Sequence, residues 1–194
     1  MRPTLIRGGR LLDPSRSLDE AGDLLIEDGK IASVGGRITG PDGAEEVDAS
    51  DLVVAPAFID LHVHFREPGE EHKETIRTGA AAAAAGGFAE VWAMPNTDPP
   101  VDNPAAVGFV RAEGERARRS RVEPIGAASR EQAGKQMTEV GELVSAGAVG
   151  ISDDGRPIEN SRLMRRLLEY TQAFGIPVIQ HAEDTELSGH GVMN

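Results

Sequence analysis

A chain of 194 residues can form one large domain or a small and a medium one. Its 32 Asp and Glu against 20 Lys and Arg leave a net charge of −12, which would repel nucleic acid and anionic membrane surfaces. The lack of cysteine excludes a disulfide framework and thiolate metal sites, so any metal must be held by His, Asp or Glu.

The opening "MRPTLIRGGRLLDPS" has no apolar stretch of signal-peptide length, and no segment approaches the roughly 18 apolar residues of a membrane span. A soluble, cytoplasmic, acidic protein with neither nucleic-acid nor membrane partners is expected. Short β-like runs come first: "TLIRGGRLL", "DLLIEDGKIASVG" and "EEVDASDLVVA", separated by the turn signals "EDGK" and "GPDG". They predict an N-terminal β segment of a small sandwich domain over residues 1–54.

From residue 55 the rhythm lengthens. Apolar runs at Phe58–Val63, Phe88–Met94, Val122–Ala127, Ala148–Ile151 and Pro177–Ile179 alternate with helix-like stretches. Among these are "EHKETIRTGAAAAAAGG", "NPAAVGFVRAEGERARR" and "NSRLMRRLLEYTQAFG". Strand and helix repeating at intervals of about 25 to 35 residues predicts βα units around a parallel sheet. Asn103 before Pro104 suits a helix start, Asn160 or Ser161 caps the next helix, and Gly175 suits a left-handed stop. The alanine run predicts a helix whose small residues face the sheet, and His72 falls inside that helix-like region.

The fold class expected for residues 55–194 is α/β, a partial TIM (β/α)8 barrel of about five strands and four helices. A closed barrel takes about 250 residues. The chain reaches Asn194 in what reads as the loop after the fifth strand, so the expectation is the N-terminal part of a longer protein. A doubly wound open sheet is the alternative, but no strand is followed by a glycine-rich phosphate loop.

The chemistry concentrates where these strands end. In "DLHVHFREPG", residues two apart on a strand share a face, so Asp60, His62, His64 and Arg66 project together near the C-terminal end of the first barrel strand. Active sites of such barrels lie at that end. Alone, an H-x-H pair reads equally well as two hydrogen-bonded core histidines. "ISDDG" sets Asp153 and Asp154 at the end of the fourth strand and "PVIQHAED" sets His181 at the end of the fifth. Three strand ends carrying ligand types point to a metal site, and an oxygen and nitrogen ligand set suits zinc or another first-row divalent ion. The aspartate pair also reads as an ordinary turn.

Together, "IDLHVHFREPG", "AMPNTDPP", "ISDDG" and "IQHAED" resemble the dihydroorotase family of the amidohydrolase superfamily, over nearly the whole chain and in order. The resemblance implies a metal-dependent cyclic amide hydrolase, converting N-carbamoyl-L-aspartate reversibly to (S)-dihydroorotate in pyrimidine biosynthesis. It implies His62 and His64 as ligands of one zinc, His181 as a ligand of a second, and Asp154 as the bridge between them, with Asp153 as the fallback. It gives Arg66 and Asn96, beside His64, the substrate carboxylate. It further implies a homo-oligomer and leaves association with aspartate transcarbamoylase open. The family's third metal histidine and its proton-shuttling aspartate have no counterpart; His72 and His190 fit neither role. Both are expected beyond Asn194, and the 194 residues by themselves are expected to be inactive.

Allantoinases share much of this pattern but place asparagine where Arg66 stands. Hydantoinases bridge their metals with a carboxylated lysine, whereas lysine occurs here only at positions 30, 73 and 135, none at a strand end. A non-catalytic scaffold subunit would commonly lack the metal histidines, which are kept here.

Overall fold

The computed structural model describes residues 2–189 and Gly191. The chain divides into two compact units, Met1–Ala57 and Phe58–Asn194. His190, which fits neither of the two missing roles, falls outside the described residues.

The first unit is a five-stranded sheet: β1 (Thr4–Asp13), β2 (Leu18–Glu27), β3 (Lys30–Val34), β4 (Glu45–Asp48) and β5 (Val53–Val54). β1 and β2 pair antiparallel, as do β2 and β3, while β4 and β5 add parallel to successive stretches of β1. The "EDGK" signal is the β2–β3 turn, with Asp28 at φ 49° and Gly29 at φ 74°, as a two-residue hairpin matched to strand twist requires. Asp23, 6 % exposed, ties the unit together. Its carboxylate accepts from the Gly8 and Ile38 backbone N–H groups at 2.9 and 3.0 Å and from Arg7 at 3.1 Å. These donors, the Ile38 N–H foremost, hold the carboxyl below the usual aspartate range.

The second unit contains five parallel strands, β6 (Phe58–Val63), β7 (Phe88–Ala93), β8 (Arg121–Ala127), β9 (Gly150–Ser152) and β10 (Val178–Ile179), hydrogen-bonded in sequence order. Between them run α1 (Ile76–Ala85), α2 (Pro104–Ala117), α3 (Val140–Ala146) and α4 (Ser161–Thr171), and α5 (Thr185–Ser188) follows β10. Strand, helix and next parallel neighbour recur as in the opening half of a (β/α)8 barrel. The core lies between sheet and helices, where Ile76, Val91, Val107, Leu143, Ile151 and Leu167 are at most 1 % exposed.

Helix starts are set by side chains. Asn103 Oδ1 accepts from Ala106 N at 3.1 Å with Pro104 as first residue of α2, and Asn160 Oδ1 accepts from Arg162 N and Leu163 N. Gly175 takes φ 66° after the 3-10 turn that extends α4. α1 starts later than its sequence suggests. Thr75 and Thr78 form a reciprocal capping box, and His72 lies in the preceding turn rather than in the helix. Only Ile76, Gly79 and Ala80 of α1 are buried, with Ala83 half-buried. The other alanines are exposed, because a helix turns one stripe inward and alanine, the best helix former, costs nothing on the outside.

Candidate metal centre

β6 sits at the edge of its sheet, and its pairing with β7 gains one residue between Asp60 and Val63. Such a bulge re-aims side chains, and His62 lies within it. The His62 and His64 rings stand edge to face with centroids 5.0 Å apart, and their Nε2 atoms are separated by 3.2 Å. Asp154, just past β9, meets them: its Oδ1 is 3.0 Å from His62 Nε2 and its Oδ2 is 3.8 Å from His64 Nδ1. β6 and β9 are three places apart in the sheet, roughly 14 Å if the sheet were flat. Two side chains standing upright on a flat sheet do not cross that gap, so the contact requires the sheet to curl.

The donor set fits a divalent cation. One ligand atom from each of His62, His64 and Asp154 lies within 4.8 Å of the others. Two ligand atoms bound at about 2.0 to 2.2 Å with tetrahedral angles stand roughly 3.3 to 3.6 Å apart. The separations at His62 Nε2, 3.2 Å to nitrogen and 3.0 Å to oxygen, are close to such edges.

Of the adjacent aspartates, Asp154 faces the histidines and Asp153 does not. Asp153, 2 % exposed, accepts from Ser129 N at 2.9 Å and from Ser129 Oγ, joining the end of β9 to the end of β8. Burial pushes its carboxyl up, against the lowering pull of these donors. Asn96, in the loop after β7, donates from Nδ2 to Asp154 Oδ2 at 2.8 Å, while its Oδ1 lies 3.0 Å from His64 Nδ1.

Arg66 lies beyond His64, its Nη1 3.9 Å from Glu70 and its side chain one-third exposed. Its loop docks on the Asn96 loop: Asp98 N donates to Pro68 O at 3.1 Å, and a Cβ on Gly69, at φ 101°, would fall 2.0 Å from Asp98 O. Only glycine allows this approach, which sets the Arg66 loop against the Asn96 loop. His181 follows β10 with its Nε2 3.2 Å from Glu183, and it is not a member of the His62, His64 and Asp154 group. Sequence reasoning missed Ser129; its signal is a lone hydroxyl directly after the apolar run "IGAA".

The parallel βα fold and the His62, His64 and Asp154 group at its strand ends are those of the opening part of a (β/α)8 barrel with a candidate metal site. An L-hydantoinase from Arthrobacter aurescens superposes over 95% of this chain and 41% of its own with TM-score 0.77 and 21% identity, and a dihydroorotase crystal structure over 95% and 52% with TM-score 0.68 and 16% identity. The sequence profile described as dihydro-orotase-like matches residues 51–194, and the chain belongs to that family. The curated dihydroorotase of Pelobacter propionicus is 50% identical over 190 residues, 98% of this chain and 45% of the relative, and that of Anaeromyxobacter sp. (strain K) is 51% identical over 189 residues, 97% and 44%. The chain thus spans less than half the length of these relatives. Among the described residues no helix is long and apolar enough to cross a membrane.

Proposed function

We propose that this chain carries the first part of a dihydroorotase active site, acting in the reversible cyclisation of N-carbamoyl-L-aspartate to (S)-dihydroorotate. The observation that carries the reading is the convergence of His62, His64 and Asp154 within 4.8 Å in a dihydro-orotase-like chain. Zinc suits this cysteine-free set. His62 and His64 would hold one ion, His181 would serve a second, and Asp154 would be the ligand shared between them. A divalent ion held there would supply Lewis-acid chemistry, activating water and the amide carbonyl it attacks. Arg66 offers a planar fork for the substrate carboxylate, and the second Nδ2 hydrogen of Asn96 can donate beside it. The absence of a lysine at the C-terminal end of any described barrel strand favours this reading over a hydantoinase. The reading includes residues 1–54 as a segment of a small sandwich domain, a cytoplasmic homo-oligomer, and aspartate transcarbamoylase as a candidate partner.

The test is binding. Equilibrium dialysis should show zinc retained by the chain and weakened about 100-fold or more by His62→Ala or Asp154→Ala, since each removes a ligand. With zinc present, saturating dihydroorotate at about 100 times its Kd should raise the melting temperature by roughly 5 to 10 °C. Dihydrouracil, which lacks the carboxylate, should not, and Arg66→Ala should abolish the shift while leaving zinc binding intact. Zinc affinity indifferent to both ligand substitutions refutes the metal site; equal shifts from the two ring amides refute the substrate assignment.

A further inference from the structure

Asn96 joins two members of the candidate centre that follow different strands, at sequence separations of 32 from His64 and 58 from Asp154. Its amide orientation is decided by chemistry. Nδ2 lies 2.8 Å from a carboxylate oxygen, and exchanging oxygen for nitrogen would press two acceptors together. Oδ1 therefore faces His64 Nδ1 at 3.0 Å. A carbonyl oxygen only accepts, so Nδ1 carries the hydrogen. A neutral imidazole protonated at Nδ1 has a bare lone pair at Nε2, and His64 Nε2 is the atom 3.2 Å from His62 Nε2.

We infer that Asn96 is a positioning residue for the metal centre: it holds His64 in the Nδ1–H tautomer, keeps Nε2 open to the cation, and fixes the Asp154 carboxylate beside it. This rests on the metal-site reading above and goes beyond it, because Asn96 was expected to serve the substrate carboxylate. Both duties are compatible, since one Nδ2 hydrogen is left over. Partners behind metal-bound imidazoles typically contribute about 10- to 100-fold in metal affinity.

The experiment reads the tautomer directly. In the zinc-free chain at a pH where His64 is neutral, long-range 1H–15N correlation should show its Nδ1 protonated and its Nε2 bare. Asn96→Ala should mix the tautomers and weaken zinc about 10- to 100-fold. Asn96→Asp keeps an acceptor for His64 Nδ1, so the tautomer should survive while the donor to Asp154 is lost; this variant and the wild type decide the matter if the alanine variant misfolds. His64 protonated at Nε2 in the wild type overturns the inference. So does Asn96→Ala with an unchanged tautomer, or a changed tautomer with zinc affinity within about threefold of wild type. Failure of the wild-type chain to bind zinc would refute the metal site itself, a result distinct from the tautomer readings.

Discussion

Gly79 of α1 offers a substitution whose sign is set by tertiary packing rather than by helix propensity. Replacing glycine by alanine inside a helix normally stabilises by about 1 kcal/mol. At Gly79 the added Cβ would lie 2.2 and 2.4 Å from Cε1 and Cδ1 of Phe65, a ring only 6 % exposed between His64 and Arg66. Ordinary carbon contacts need about 3.5 Å or more, so the ring must shift by over an ångström in a packed core, at a cost of about 1 to 3 kcal/mol. Gly108 of α2 is the control, because a Cβ there meets nothing within 4 Å. Gly108→Ala should gain close to the full propensity term, and the two variants should differ by about 1 to 3 kcal/mol, or roughly 2 to 12 °C in midpoint. Thermal and urea melts followed by circular dichroism make the comparison. Phe65→Leu, which shortens the obstacle, should relieve part of the Gly79→Ala loss in a double-mutant cycle. Equal stabilisation by both alanines would refute the packing argument.

Asp23→Ala should destabilise the first unit by about 2 to 4 kcal/mol at pH 7 by stripping two backbone donors of their acceptor. Because the native carboxyl is held low, its contribution is complete above about pH 4 and fades as pH falls through the native value, so the gap between wild type and variant in urea melts should narrow toward pH 3; a constant gap contradicts this. Asn103→Ala removes the cap of α2 and should cost about 1 kcal/mol, with Asn103→Ser restoring most of it in the same assay. Ser129→Ala leaves a buried Asp153 oxygen without its hydroxyl donor and should lower stability by about 1 to 3 kcal/mol, a loss that unaltered melting would disprove.

The barrel strands were legible because apolar runs such as Phe58–Val63 are bounded by turn residues, and the αL and cap positions because Asn103, Pro104, Asn160 and Gly175 have backbone preferences of their own. α3 was not individually marked, and its N-cap Glu139 makes no side-chain cap bond that would announce it. The two histidines could be paired by strand alternation alone. Choosing between Asp153 and Asp154 could not, since a one-residue change in register exchanges the faces. It took Ser129, two residues past the neighbouring strand β8, to occupy Asp153. The double engagement of Asn96 was equally hidden, because "PNT" carries the local signature of a turn while its partners arrive from far along the chain.

The contact between His62 and Asp154 runs across the chord of the curled sheet, linking β6 to β9 over two intervening strands. A cation held there is a removable cross-link between segments that meet only after β7 and β8 have been laid between them. Loop closure of that length comes late in assembly, so the ion should be absent from the folding transition state. Its stabilisation would then appear as slower unfolding, with the refolding rate almost unchanged. Metal would act on the lifetime of the folded unit, and chelation would shorten that lifetime without impeding its formation.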